Sequence, residues 1–173
     1  MSGFRPVLLV TAILSFAVPA AAQTTRPSLL LKGGGNIERS EDATEGESFA
    51  FGADLLVPLA NRWTFDVEFW LPAYFTFRDE LRHRDILLSV GVLRHFGGGR
   101  TRPFLSFGLG VGTTQEQRPA PFGKTSDSSG FWFIGTGADI AINPRVSIVP
   151  EVRATLAAAA FVLRPSVGVA FRF

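Results

Sequence analysis

The chain has 173 residues, with 17 Lys and Arg against 15 Asp and Glu for a formal net charge of +2, and it contains no cysteine. So balanced a charge excludes a nucleic-acid-binding signature, and the missing cysteine excludes a disulfide framework, thiol catalysis and thiolate metal sites. Seventeen Phe and 18 Gly against a single Met favour strands over helices.

Residues 1–22 have the form of a secretory signal peptide. Arg5 supplies the positive charge, Val7 to Val18 is almost wholly apolar, and Ala20 and Ala22 put small residues at both positions inspected by the signal peptidase. The apolar run falls short of the roughly 20 residues that a membrane-spanning helix needs. Cleavage before Gln23 is expected, leaving residues 23–173 as one domain.

Eight segments of alternating apolar and polar or small residues follow in chain order: Leu29 to Ile37, Phe49 to Val57, Trp63 to Leu71, Asp85 to Phe96, Phe104 to Thr113, Phe131 to Ile142, Val146 to Leu156 and Val162 to Phe173. A period of two marks strands whose two faces meet different environments. One face is apolar throughout, as in Phe49, Phe51, Leu55, Val57, then Phe65, Val67, Phe69, then Leu105, Phe107, Leu109, Val111. The other gathers Lys32, Asp54, Asp66, Glu68, Asp85, Asp139, Glu151, Arg153, Arg164 and Arg172, together with glycines such as Gly52, Gly91, Gly108 and Gly137. Periodicity alone fits a soluble barrel with an apolar core equally well.

The links alternate in length. Glu38 to Ser48, Pro72 to Arg84 and Thr114 to Gly130 are long and polar, whereas Pro58 to Arg62, Gly97 to Pro103 and Asn143 to Arg145 are short. Outer-membrane barrels have short periplasmic turns, longer outside loops and an even strand count. Aromatic residues collect toward segment ends, with Trp63, Phe96 and Phe104 expected at the periplasmic rim and Phe49, Phe69, Tyr74 and Trp132 at the outer rim. Pro150 and Pro165 lie inside segments, where a closed barrel needs every backbone donor, so a bulge or register irregularity is expected there. Ala157 to Ala160 is read as a tight turn or a short helix. Arg94 falls on the apolar face near the periplasmic end, within snorkelling reach of water.

Together with the signal and the eight segments, the ending Ser166-Val167-Gly168-Val169-Ala170-Phe171-Arg172-Phe173 resembles that of the small outer-membrane barrels of the OmpA/OmpX type. The resemblance covers essentially the whole mature part. It implies an all-β, eight-stranded antiparallel up-and-down transmembrane barrel in a Gram-negative envelope, with Phe171 and Phe173 as an assembly signal for the barrel-insertion machinery. It also implies outer-membrane lipid and lipopolysaccharide as surroundings, and a possible surface partner through the long loops.

In such a barrel the ten charged residues of the polar face form a lumenal network, because an unpaired buried charge is costly, and an interior of eight strands is filled by side chains rather than open as a pore. No cofactor or metal cluster is expected. Enzymes are built on this scaffold, and His83 and Asp85, two apart on one strand, are the pair nearest to a hydroxyl-activating site. The deacylase pattern needs Ser two residues after a His, however, and Asp85 and Gly97 follow His83 and His95 at that distance. Gly123-Lys124-Thr125 lacks the first glycine of a phosphate loop, since Arg118 stands in its place. The expected function is non-enzymatic, structural or surface-interacting. The alternatives are a lipid A deacylase-like enzyme and a soluble periplasmic barrel holding an apolar ligand. For surface contact the sequence offers an acidic first link (Glu38, Glu41, Asp42, Glu45, Glu47) and a mildly basic third (Arg118, Lys124).

Overall fold

The computed structural model describes residues 26–40, 46–59, 62–73, 82–97, 99–117, 124–157 and 160–173. The expected signal peptide, its cleavage site and Tyr74 lie outside these residues. Eight strands, β1 (Ser28–Ser40), β2 (Gly46–Pro58), β3 (Trp63–Ala73), β4 (Arg82–His95), β5 (Thr101–Gln117), β6 (Lys124–Ala141), β7 (Val146–Ala157) and β8 (Ala160–Arg172), follow one another antiparallel, and β8 pairs with β1 to close the barrel. Closure satisfies the ladder groups that an open sheet would leave on its edges.

The alternation of each strand sets its two faces. Along β7, Ser147, Val149, Glu151, Arg153 and Thr155 are buried, while the intervening Ile148 and Val152 are exposed. The outward face carries Phe51, Leu109, Val111, Trp132 and Val167, each more than half exposed, with Leu109 reaching 64%. An apolar girdle this continuous far exceeds the patches that soluble monomers tolerate.

Strand ends differ from expectation where polar residues occupy both faces. The link from Thr114 to Gly130 is mostly strand, since β5 and β6 remain paired through Gln117↔Lys124, and only 118–123 separate them. β1 and β2 likewise run on to Ser40 and Gly46. Ala157 pairs with Ala160, so only residues 158 and 159, outside the described residues, lie between the last two strands, too few for a short helix, one of the two expectations.

Pro150 and Pro165 produce no bulge. The register of β7 on β8 advances one for one from Val146↔Phe171 to Ala157↔Ala160. Pairing lapses instead on the other edge of each strand, at Ala138 and Asp139 opposite Pro150 and Val149, and at Gly35 and Asn36 opposite Pro165 and Arg164. A proline removes one donor, and each strand turns its deficit to one neighbour while keeping the other ladder whole.

The rim aromatics also need one correction. Trp63 and Phe96 face outward, with the Arg94 guanidinium 5.5 Å from the Trp63 ring centre and 5.7 Å from that of Phe96. Phe49, Phe69 and Trp132 are exposed at the other end. Phe104, however, is 2% exposed and packs inside with Leu30, Leu93, Val149 and Ala170. Its parity is that of Ser106 and Gly108, opposite to the outward Leu105 and Phe107.

Candidate functional site

The lumen holds the charged face. Lys32 on β1 reaches Asp54 on β2 (2.7 Å), Glu68 on β3 (2.6 Å) and Glu151 on β7 (3.3 Å). Arg153 on β7 contacts its same-face neighbour Glu151, Asp66 at 2.8 Å, Glu68 at 3.0 Å and Asp54 at 3.6 Å. Arg164 on β8 is looser, 3.6 Å from Glu68, and Ser89 on β4 donates to Glu68 at 2.8 Å. All of these side chains are buried. The cluster therefore straps β1, β2 and β3 to β7 and β8 across the lumen, spanning the seam where the first and last strands close. With these side chains almost wholly buried, each ion is stabilised chiefly by its partners, and removing one leaves the rest uncompensated.

Aromatic rings complete the filling. Lys32 Nζ lies 5.3 Å from the centre of the Trp70 ring and Arg164 5.6 Å, while Arg153 lies 4.7 Å from that of Phe133; such cations interact favourably with the ring faces. Trp70, Phe104, Phe131 and Phe133 each sit directly across a ladder from a glycine: Gly52, Gly137, Gly110 and Gly108. A methyl group on Gly108 would lie 2.7 Å from the Phe133 ring, and one on Gly52 would collide with Trp70. The glycines of the polar face thus make room for these rings, and none of the rings was marked as inward-facing by the sequence.

Of the ten charged positions named from the sequence, Lys32, Asp54, Asp66, Glu68, Glu151, Arg153 and Arg164 meet in this central cluster. Asp139 and Arg172 belong to a second group nearer the short-turn end, where Arg172 Nη2 donates to Asp139 (2.7 Å) and to Ser147 (3.0 Å), and Arg102, which the sequence did not single out, donates to Asp139 at 2.5 Å. Asp85 and His83 lie on β4 opposite Thr114 and Glu116, and their side chains fall outside the described residues. Phe171 and Phe173 are exposed on the outward face and at the chain end, with Phe173 N bonded to Pro27 O at 3.1 Å.

A vestibule of about 1210 Å³ opens at the short-turn end and reaches down to Asp54, Glu151 and Arg153. Its walls include Leu30, Leu93, Phe104 and Val149, and its mouth is lined by arginines. The middle of the lumen is charged and filled, unlike the apolar interior that a soluble barrel with an apolar ligand would need. No group of three or more metal-ligating side chains occurs among the described residues.

No family model matches the chain, and no curated protein matches it either. Among solved structures it is similar to Neisserial surface protein A, at 13% identity and a TM-score of 0.75 over 85% of this chain and 97% of that one. It is similar to Ail, the attachment invasion locus protein of Yersinia pestis (14% identity, TM-score 0.63, 87% and 100% covered), and to the N-terminal β-barrel domain of Pseudomonas aeruginosa OprF (16%, 0.63, 87% and 100%). These neighbours are small eight-stranded outer-membrane barrels. At such identities the likeness establishes the fold.

Proposed function

We propose that the chain is a non-enzymatic barrel of the outer membrane, exported with a cleaved signal peptide and serving a structural or surface-interaction role, its lumen closed by the charged cluster. One observation carries this reading: the faces are inverted relative to a soluble protein. Apolar side chains such as Phe51, Leu109 and Trp132 point outward, and eight charged side chains from Lys32 to Arg164 are buried inside. Only a hydrocarbon surrounding makes the exposed girdle favourable. Barrels span membranes because closure pairs their backbone groups.

The cluster argues against an ion pathway. An eight-stranded interior is already narrow, and here Lys32, Arg153 and Arg164 are committed to carboxylates across it. The short turns and both chain termini then face the periplasm, and the longer links face outward, where a surface partner would meet them. The test is fractionation with heat-modifiable gel migration, followed by planar-bilayer recording. Heat-modifiable protein in the outer-membrane fraction that shows no stable conductance step is expected. Soluble periplasmic protein without heat-modifiable migration would overturn the membrane reading, and steady channel steps would overturn the closed lumen.

A further inference from the structure

At the short-turn end an arginine stands just before each odd-numbered strand: Arg26 ahead of β1, Arg62 ahead of β3, Arg100 ahead of β5 and Arg145 ahead of β7. All four line the mouth of the vestibule and are exposed. None has a carboxylate within ion-pair distance among the described residues, in contrast to the buried bases of the lumen. Their backbones are fixed at the mouth. The carbonyl of Arg62 accepts from His95 N (2.9 Å), that of Arg100 from Ala141 N (2.7 Å) and that of Arg145 from Arg172 N (2.8 Å), so each turn is pinned to the end of a neighbouring strand. Pro27, next to Arg26, is held the same way by Phe173 N at 3.1 Å.

We propose that this ring is a binding site for phosphate-bearing anions. Four arginines lining one concave mouth offer forked donors matched to phosphate oxygens, and the vestibule is larger than the roughly 300–1,000 Å³ of ordinary ligand pockets. Among the described side chains at the mouth one carboxylate, Asp139, is present, and Arg102 and Arg172 already hold it; the chain-terminal carboxylate of Phe173 lies at the same rim, where Phe173 N bonds Pro27 O. Deeper in, the field reverses, because Asp54, Asp66, Glu68 and Glu151 outnumber Lys32, Arg153 and Arg164. An anion is therefore drawn into the mouth and stopped there, which makes the vestibule a binding site and not a conduit. Its phosphate could come from a soluble phosphorylated solute or from the headgroups of surrounding phospholipid.

The test is calorimetric titration of the refolded barrel, in micelles of an uncharged detergent at low ionic strength, with inorganic tripolyphosphate. It does not depend on where the barrel resides in the cell. Saturable binding of one anion per barrel is expected, weakened about tenfold or more in Arg26→Gln/Arg62→Asn/Arg100→Gln/Arg145→Gln and screened by salt. Asn is chosen at 62 because Arg62 has φ of 69°, a left-handed conformation that Asn tolerates. Arg100→Gln/Arg145→Gln serves if the fourfold variant fails to refold. Arg94→Gln removes the same charge at the same end, but from the lipid-facing surface, and should leave binding unchanged.

A second arm compares unfolding in phosphatidylglycerol and phosphatidylcholine vesicles. Tripolyphosphate binding that requires the ring assigns a soluble source. Silence toward tripolyphosphate, with phosphatidylglycerol stabilising the wild type more than the ring variant, assigns lipid headgroups. The proposal is overturned if neither appears, or if Arg94→Gln costs as much as the ring substitutions.

Discussion

Replacing Arg153 by Leu should be among the most damaging single changes to this barrel. Arg153 touches four carboxylates, and the loss falls unequally on them. Asp54, Glu68 and Glu151 keep Lys32, whereas Asp66 has Arg153 as its sole ion-pair partner among the described residues. The variant thus leaves one buried carboxylate uncompensated, and a cost of about 3 to 5 kcal/mol follows. Adding Asp66→Asn should return a large part of it, a coupling that two independent sites would not show. Arg153→Lys should fall between, since an ammonium supplies charge without the fork. The adjacent residue obeys the opposite rule. Val152 faces outward at 40% exposure, so Val152→Leu should be nearly silent and Val152→Arg should cost about 2 to 4 kcal/mol near the bilayer midplane. Equilibrium unfolding by denaturant in lipid vesicles reads all five variants. A negligible cost for Arg153→Leu beside a severe one for Val152→Leu would refute the assignment of faces.

Three further outcomes are expected. Gly52→Ala should destabilise by about 1 to 3 kcal/mol because its methyl meets the buried Trp70 ring, whereas Gly33→Ala, whose methyl would lie 3.5 Å from the Phe49 ring in ordinary contact, should be close to neutral in the same unfolding assay; equal effects would remove the aromatic–glycine account. Intact mass of the membrane-extracted protein should correspond to a chain beginning at Gln23, and a mass retaining residues 1–22 would remove the signal assignment. Deleting Phe173 should lower the amount of heat-modifiable barrel while leaving synthesis and export intact, and wild-type abundance would deny the terminal aromatic its role in assembly.

Alternation made the two faces legible wherever one met hydrocarbon and the other the lumen, as at Val152 and Arg153. It failed where both faces were polar. Thr114–Gln117 and Lys124–Gly130 lie beyond the apolar girdle, so their hairpin pairing leaves no period of two in the sequence. The inward position of Trp70, Phe104, Phe131 and Phe133 was hidden for another reason. A ring inside a narrow barrel is allowed only where its cross-strand neighbour is small, and the pairings with Gly52, Gly137, Gly110 and Gly108 exist only once the register is known. The ionic residues were visible singly, but not their division between a central cluster and the Arg102–Asp139–Arg172 group, which depends on strand stagger. The arginine ring was likewise present in the sequence as single residues, three in the short turns and Arg26 ahead of β1, and only the strand starts give it a period.

Two native tryptophans lie on opposite faces and test the inverted barrel most directly. Trp132 is 59% exposed on the outward face, and Trp70 is 1% exposed in the lumen. Single-tryptophan proteins, made by changing the other two tryptophans to Phe, should be refolded into vesicles of brominated phospholipid and their fluorescence compared with that in the unbrominated lipid. A membrane-spanning barrel with a filled lumen predicts strong quenching of Trp132 and almost none of Trp70, with Trp70 also shielded from acrylamide in the water. Quenching of Trp70 by the lipid, or a Trp132 that answers only to the aqueous quencher, would contradict it.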